Sequence, residues 1–128
     1  MSSTLESLNQ ALVELNETGR VLASLVATDE GFVIASVVSE EVDENVAAAM
    51  SSFVHNAAQR AREELKLGRI RDITIRCEEG TLVCKGATLS DGRLVVLAAL
   101  VARNTRFFMR AVNNAVRKIQ ELLRNLYI

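Results

Sequence analysis

The chain contains few residues of the types that carry out chemistry. Its only histidine, His55, lies about 180° from the apolar face of the helix predicted around it, beside Gln59 and Arg62. That position predicts a surface residue, and no nucleophile is visibly paired with it. Two pairs of adjacent carboxylates, Glu40-Glu41 and Glu78-Glu79, fall in predicted turns or loops, where nothing distinguishes an acid from a base. No catalytic residue is therefore expected, and the chain is predicted not to be an enzyme.

Motifs for metals, disulfides and nucleotides are also missing from the sequence. Cys77 and Cys84 are not spaced as a zinc-binding pair, and they are offset in the hairpin predicted around Glu79-Gly80, so a strain-free disulfide is not expected. Gly86, the one glycine inside a predicted strand, indicates a bulge or a close helix crossing. The chain lacks both GxxxxGK[ST] and GxGxxG, the patterns that hold phosphates at a helix N-terminus. We therefore expect no metal and no cofactor.

Composition narrows the function classes further. The chain has 128 residues, with 15 basic against 16 acidic side chains, 49% hydrophobic residues and 4% aromatic residues. This size predicts one domain over residues 1–128 with its own core. Balanced charge and scarce aromatic residues argue against nucleic-acid binding. The most apolar run, Leu94–Ala102, is far shorter than the ~20 residues of a spanning helix, and the N-terminus lacks a signal pattern, so a cytoplasmic protein without stable membrane insertion is expected.

Periodicity and turn residues predict an α+β domain of three helices and five strands. A first amphipathic helix ends at Thr18-Gly19, and strands over 21–27 and 32–36 flank the turn Asp29-Glu30-Gly31. Asp43 is predicted as the N-cap of a long middle helix that runs to about Leu67. Three strands follow, over about 70–77, 81–89 and 93–101, and a last helix runs from near Thr105 almost to Ile128.

The hydrophobic pattern also predicts where the strands lie in one antiparallel sheet of about five strands. The strands near Val21 and Leu94 are apolar on both faces, so they are predicted in the middle of the sheet with helices on both sides. The strand near Ile73 alternates apolar and polar residues, which is typical of an edge. The short strand near Phe32 is predicted at the opposite edge.

The middle helix carries more apolar surface than one contact needs. Its main apolar face is predicted to lie on the sheet and consists of Val46, Met50, Phe53 and Ala57. A second stripe extends the apolar arc by about another 100° and consists of Ala47, Ser51, Val54, Ala58 and Leu65. Either another part of the same chain covers this second stripe or a partner chain does, and we favour the partner chain.

The predicted edge strand supports a partner chain. Proline is absent, so the backbone of residues 70–77 is free to pair with an antiparallel copy, although the charges of Arg71, Asp72 and Arg76 alternatively act against pairing. A two-fold axis at this edge would join two sheets and place two middle helices side by side. The predicted dimer interface consists of Ala47, Ser51, Val54, Ala58, Leu65, Ile73, Thr74, Ile75 and Arg76.

The last helix has a basic row opposite its apolar stripe, made of Arg106, Arg110, Arg117 and Arg124. Such a row is most often a solvated face, partly neutralised here by Glu121 or by Glu14 and Glu17 of the first helix. Alternatively, it docks an acidic protein surface or an anionic membrane, and the second of these is disfavoured because the row lacks aromatic anchors. We retain the row as a candidate partner-docking site.

The whole pattern resembles the roadblock family, which includes the roadblock-type dynein light chains and bacterial and archaeal relatives. The resemblance covers Leu5 to Leu123. It depends on an apolar strand followed by residues 29–36 (DEGFVIAS), an Ala-rich helix, Gly68 with the strand to Cys77, residues 91–97 (DGRLVVL) and a closing helix. It implies a sheet of strand order 2-1-5-4-3, with the middle helix on one face and the terminal helices on the other.

The resemblance also implies a function. Family members form homodimers or heterodimers through the third strand and the middle helix, and they activate Ras-like GTPases or act as scaffolds without a nucleotide site of their own. We expect a dimeric module that binds and regulates a small Ras-like GTPase, with itself or another roadblock-type subunit as the second chain. One alternative is a passive dimeric scaffold or a dynein-type light-chain adaptor. A small-ligand sensor with a pocket between sheet and helix is less favoured, because the predicted core positions are apolar.

Overall fold

A computed structural model describes residues 2–89 and 91–124 of the chain and confirms the predicted order of elements. The elements are α1 (Ser2–Gly19), β1 (Val21–Thr28), β2 (Val33–Val37), α2 (Glu44–Glu64), β3 (Ile73–Arg76), β4 (Gly80–Thr88), β5 (Leu94–Ala102) and α3 (Met109–Arg124). Two helix bounds differ from the prediction. α2 ends at Glu64 because Lys66 has a φ of 56°, and α3 begins at Met109 because Phe107 has a φ of 63°. The predicted helix end near Ile128 lies outside the described residues.

The five strands form one antiparallel sheet of order β2-β1-β5-β4-β3, as expected. β1 and β5 occupy the middle and are buried on both faces, which explains their continuous apolar runs. β2 and β3 form the two edges. The sheet therefore needs a covering layer on each face, and both layers come from this chain.

The terminal helices α1 and α3 cover one face with the larger core. Leucines of α1 and aliphatic residues of α3 pack on the inner side of β1, β4 and β5. A partly buried polar link joins α1 to the sheet, because the Ser24 hydroxyl donates to Asn16 Oδ1 at 2.7 Å and the Asn16 amide donates to the Val37 carbonyl at 3.1 Å. This link fixes the register of α1 over β1 and β2 in addition to the apolar contacts.

The middle helix α2 covers the other face, and its orientation differs from the prediction. Asp43 is the N-cap, as expected, and its carboxylate accepts hydrogen bonds from the amides of Asn45 and Val46. The buried residues are not the large apolar ones. They are Ala48, Ser51, Ser52 and His55, whereas Val46, Met50 and Phe53 are 52–69% exposed and Ala57 is exposed.

The predicted core face of α2 is therefore wrong, for a specific packing reason. Small residues let the helix approach the sheet closely, and each buried hydroxyl finds a backbone acceptor. Ser52 Oγ donates to the Thr28 carbonyl at 2.8 Å, and Ser51 Oγ donates to the Ala47 carbonyl at 2.7 Å. Because these hydroxyls are satisfied, burying them costs little, and the bulky apolar side chains lie on the outer side of the helix.

The prediction that His55 lies at the surface is also wrong, because its side chain is 3% exposed. It packs against Gly86 of β4, where an added Cβ would lie 2.6 Å from His55 Nε2. Gly86 thus marks a close helix crossing, one of its two predicted meanings. Burial lowers the pKa of His55 below its usual value of 6.5, and the charge of Asp29 offsets part of this effect.

A lowered pKa at the single histidine predicts how stability depends on pH. The folded state binds this proton more weakly than the unfolded chain, so the free energy of unfolding should fall as the pH drops below about 6.5 and should be regained above it. Urea denaturation at a series of pH values between about 7.5 and 5.5 measures this dependence, in a range where no other side-chain type ordinarily titrates.

His55→Gln provides the control, since glutamine is polar but does not titrate. Its absolute stability is not the readout, because the contact with Gly86 changes as well. The slope of unfolding free energy against pH should be flatter in the variant than in the wild type. Equal slopes in the two proteins would contradict the burial of a neutral imidazole.

Candidate functional site

The first surface of interest is the flank of α2 that faces β3 and β4. Ala47, Val54 and Ala58 are half-buried there, and Leu65 is 67% exposed. Ala47 packs with Ile73 and Leu82 around the smaller core cluster on this face of the sheet. Ser51, also predicted in this stripe, is 1% exposed and is buried within the chain itself. The flank stripe therefore consists of Ala47, Val54, Ala58 and Leu65 and borders the edge of the sheet.

The edge strand β3 lies beside this flank stripe. Ile73 is half-buried, whereas Thr74, Ile75 and Arg76 are exposed. Within residues 2–89 and 91–124, β3 pairs only with β4, so its outer edge has no partner strand. The structure thus brings Ala58 of the flank stripe together with Ile73 and Thr74 of β3, and it places Ala47 and Ile73 against the same core cluster. Whether a second chain occupies this edge stays a prediction.

The outer stripe of α2 is a second apolar surface, which sequence reasoning placed in the core. It consists of Val46, Met50, Phe53 and Ala57. Three of these side chains are more than half exposed, an unusual number of large apolar residues on one helix face. The sequence did contain a signal for the true core face: small residues recur at helical spacing at positions 48, 51 and 52. Such a row of small residues lets a helix pack close to its neighbour.

An apolar groove runs from the N-terminal half of α2 onto the sheet. Its volume is about 370 Å³. Its walls include Met50 and Ala47 of α2, Leu82 of β4, and Ala98 and Leu100 of β5. The groove joins the flank stripe to the outer stripe, so α2 presents one connected apolar region. Its lining is mainly apolar, which fits a protein partner better than a polar metabolite.

The four arginines of the basic row are all exposed. Arg110, Arg117 and Arg124 belong to α3, but Arg106 precedes the helix. Glu14 of α1, one of the acids predicted to neutralise this face in part, forms its ion pair with Lys118 of α3 at 3.8 Å and not with an arginine of the row. Arg117 instead donates to the Asn114 side chain. In the described part of the chain, no carboxylate forms an ion pair with Arg106, Arg110 or Arg117.

Sequence reasoning missed an aromatic residue next to this row. Phe107 is 93% exposed and has a φ of 63°, a conformation that bulky residues rarely adopt. It lines a shallow pocket between α1 and α3 together with Arg110 and Glu14. The basic row therefore has an aromatic anchor beside it. The pair Phe107-Phe108 could have indicated this exposed aromatic residue, because only one of two adjacent residues can face the core where a helix begins.

The two cysteines lie apart on the sheet. Cys84 is buried opposite Ile73, and Cys77 is exposed beyond the end of β3, which confirms the predicted offset. Burial raises the pKa of the Cys84 thiol, and a hydrogen bond with Ser51 offsets part of the effect. Across residues 2–89 and 91–124, no cluster of His, Cys, Asp or Glu is suited to hold a metal ion. In the same part of the chain, no helix combines the length and apolar character needed to cross a membrane.

Comparisons with known proteins agree with this architecture. MglB of Myxococcus xanthus superposes with a TM-score of 0.84 at 12% identity, over 97% of this chain and 92% of that chain. The gliding protein MglB of Thermus thermophilus has a TM-score of 0.83 at 14% identity, over 96% of this chain and 93% of that chain. At these identities the likeness shows the fold alone.

Comparison of the sequence with known proteins identifies the family to which the chain belongs. The uncharacterised protein MJ0310 of Methanocaldococcus jannaschii is 34% identical over 90 residues, which cover 70% of this chain and 77% of that protein. The family model described as the Roadblock/LC7 domain matches residues 8–98, well over half of the chain. The strand order, the placement of the helices and these matches agree, and the chain belongs to the Roadblock/LC7 domain family.

Proposed function

We propose that this chain is a dimeric interaction module that binds a small Ras-like GTPase and regulates it. One observation carries the proposal: α2 leaves two apolar stripes uncovered, one on its outer side and one on the flank beside the unpaired edge of β3. Two different surfaces suit two different partners. The expectation that roadblock proteins pair with each other and act on Ras-like GTPases supports this assignment, and under this proposal the chain acts in the cytoplasm.

The flank stripe and β3 are assigned to the second copy, or to another roadblock-type subunit. An antiparallel copy paired along β3 would extend the sheet and bring two flanks into contact. Ala47 and Ala58 suit such a contact because small residues allow two helices to approach closely. Thr74, Ile75 and Arg76 would then lie at the seam between two edge strands.

The outer stripe is assigned to the GTPase. After the flanks are covered, Val46, Met50 and Phe53 of both copies would form one apolar patch on the side of the dimer that carries the two middle helices. The chain itself performs no chemistry in this proposal. It changes GTP turnover by binding one conformation of the GTPase switch segments better than the other, since a ligand with equal affinity for both states shifts nothing.

A passive scaffold is the second candidate. The observation that favours it is the second edge strand, β2, whose outer side has no partner strand in the described part of the chain. An extended peptide added there would be held by backbone hydrogen bonds, as in a light-chain adaptor. Such binding would not depend on the nucleotide state of any GTPase.

The dimer prediction is tested by Val54→Glu. A carboxylate on the flank stripe would be buried against its symmetry mate, so the solution mass should fall from dimer to monomer. Val46→Glu is the matched control, because it introduces the same change on the outer stripe of the same helix and should leave the dimer intact. Light scattering of the purified proteins measures the mass.

A second variant separates dissociation from misfolding. Val54 is half-buried, whereas Leu65 is 67% exposed, so Leu65→Glu should weaken the dimer with little cost to the fold. Circular dichroism of both variants checks folding. An unchanged dimer mass for Val54→Glu and Leu65→Glu would reject the flank stripe as the seam.

The GTPase assignment is tested by capture from a native lysate with the purified protein, in GDP and separately in a non-hydrolysable GTP analogue. We expect a Ras-like GTPase, identified by mass spectrometry, to be retained preferentially in one nucleotide state. Val46→Glu should weaken that binding at least about tenfold because it places a charge in the apolar contact. Equal retention in both states would favour the scaffold over the regulator.

A further inference from the structure

A polar cleft lies at the other end of α2, away from the apolar groove. It forms because β3 is short: its pairing with β4 extends only from Thr81 to Cys84, so the part of β4 from Gly86 to Thr88 has no strand beside it on that side. The C-terminal half of α2 and the loop after it lie beside this unpaired part of β4. The resulting cleft has a volume of about 380 Å³.

Hydrogen-bond donors reach the cleft from three parts of the chain. Gln59 and Arg62 come from α2, Arg69 comes from the loop before β3, and Gln120 comes from α3. Arg62 Nε donates to Gln59 Oε1 at 2.9 Å, which fixes the guanidinium at the cleft wall. No carboxylate of the described residues lines the cleft. Throughout residues 2–89 and 91–124, neither Arg62 nor Arg69 forms an ion pair with an acidic side chain.

His55 forms part of the cleft wall and is 3% exposed. Its Nδ1 is buried and has no hydrogen-bond partner in the described part of the chain. Its Nε2 lies beside Gly86, which also lines the cleft, and a Cβ at that position would take this space. Buried polar atoms are nearly always hydrogen-bonded, so a residue of the cleft wall with an unpartnered imidazole nitrogen is a second observation, besides the two arginines, that points to a polar ligand here.

These features select a chemical class. Two arginines that form no ion pair with a carboxylate of the described residues favour an anion, and the planar guanidinium matches the oxygens of phosphate and carboxylate groups. Donors that converge from α2, the loop and α3 suit a tetrahedral group with three or more acceptor oxygens better than a planar carboxylate with two. The cleft volume also exceeds what a single phosphate fills. We propose that this cleft binds the phosphate group of a small phosphorylated metabolite.

The proposal goes beyond the interaction function, because the cleft is built within one chain and does not use the outer stripe. It does share Arg62 with the neighbouring surface that leads to Ile73 and Thr74. A bound phosphate compound is therefore placed to act on the same helix that forms the predicted dimer seam. The binding itself is measured without any partner protein.

Calorimetric titration with metal-free inorganic pyrophosphate tests the site, and titration with acetate tests its selectivity. We expect saturable binding of pyrophosphate that Arg62→Gln weakens at least about tenfold, because a charged hydrogen-bond donor is lost. Arg60→Gln is the matched control: Arg60 lies on the same helix, pairs with Glu64 and does not line the cleft. It should change the affinity by less than about twofold.

Nuclear magnetic resonance identifies where the probe binds. Pyrophosphate should shift the Gly86 amide and the His55 ring signals, and it should do so equally in the Val54→Glu protein, whatever that variant's oligomeric state. Absence of binding, equal losses in Arg62→Gln and Arg60→Gln, or acetate binding as tight as pyrophosphate would overturn the proposal. Shifts confined to the arginines of α3 would also overturn it, since they would show an adventitious ion only.

Discussion

The close approach of α2 to the sheet is the constraint on which the functional surfaces depend. A helix that packs through Ala48, Ser51 and Ser52 lies too close to the strands for its large apolar side chains, and the one large residue that it buries, His55, fits only where β4 has a glycine. Its bulky apolar residues must then lie elsewhere on the helix, and they form the outer and flank stripes. The same close approach requires Gly86 opposite His55. The exposed apolar surface of α2 thus follows from how this helix packs on the sheet. Partner proteins can bind to that surface.

The two faces of the sheet divide stability from interaction. On the α1 and α3 side, a large aliphatic cluster provides most of the buried apolar area, and the Asn16–Ser24 pair adds a specific polar contact. On the α2 side, the buried cluster is small and is built from residues such as Ala27, Ala48 and Ala98. Because the first face holds the domain together, the second face can retain a groove and exposed side chains without unfolding the chain.

Most of the fold was predictable from the sequence, and the candidate site only in part. The continuous apolar runs of β1 and β5 placed them at the centre, and Asp43 marked the start of α2, because these signals depend on local patterns. The face of α2 was not predictable in the same way. Hydrophobic periodicity weighs large side chains most heavily, whereas helix-to-sheet distance is set by small ones. Ser51 and Ser52 were therefore missed as core residues. Because the wrong face of α2 was taken as its core face, the buried His55 was predicted at the surface.

A fold shared at 12% identity with Myxococcus xanthus MglB shows how little of this architecture depends on particular side chains. Periodicity, turn residues and a close helix approach are sufficient to build it, and many sequences meet those requirements. Catalysis would add fixed groups at fixed distances, which a motif search detects. A surface such as Val46, Met50 and Phe53 needs only apolar area of a suitable shape, so it leaves no motif. Under the proposed function, then, partner choice is a property of the outer side of α2, and it can change between relatives while the scaffold beneath it stays the same.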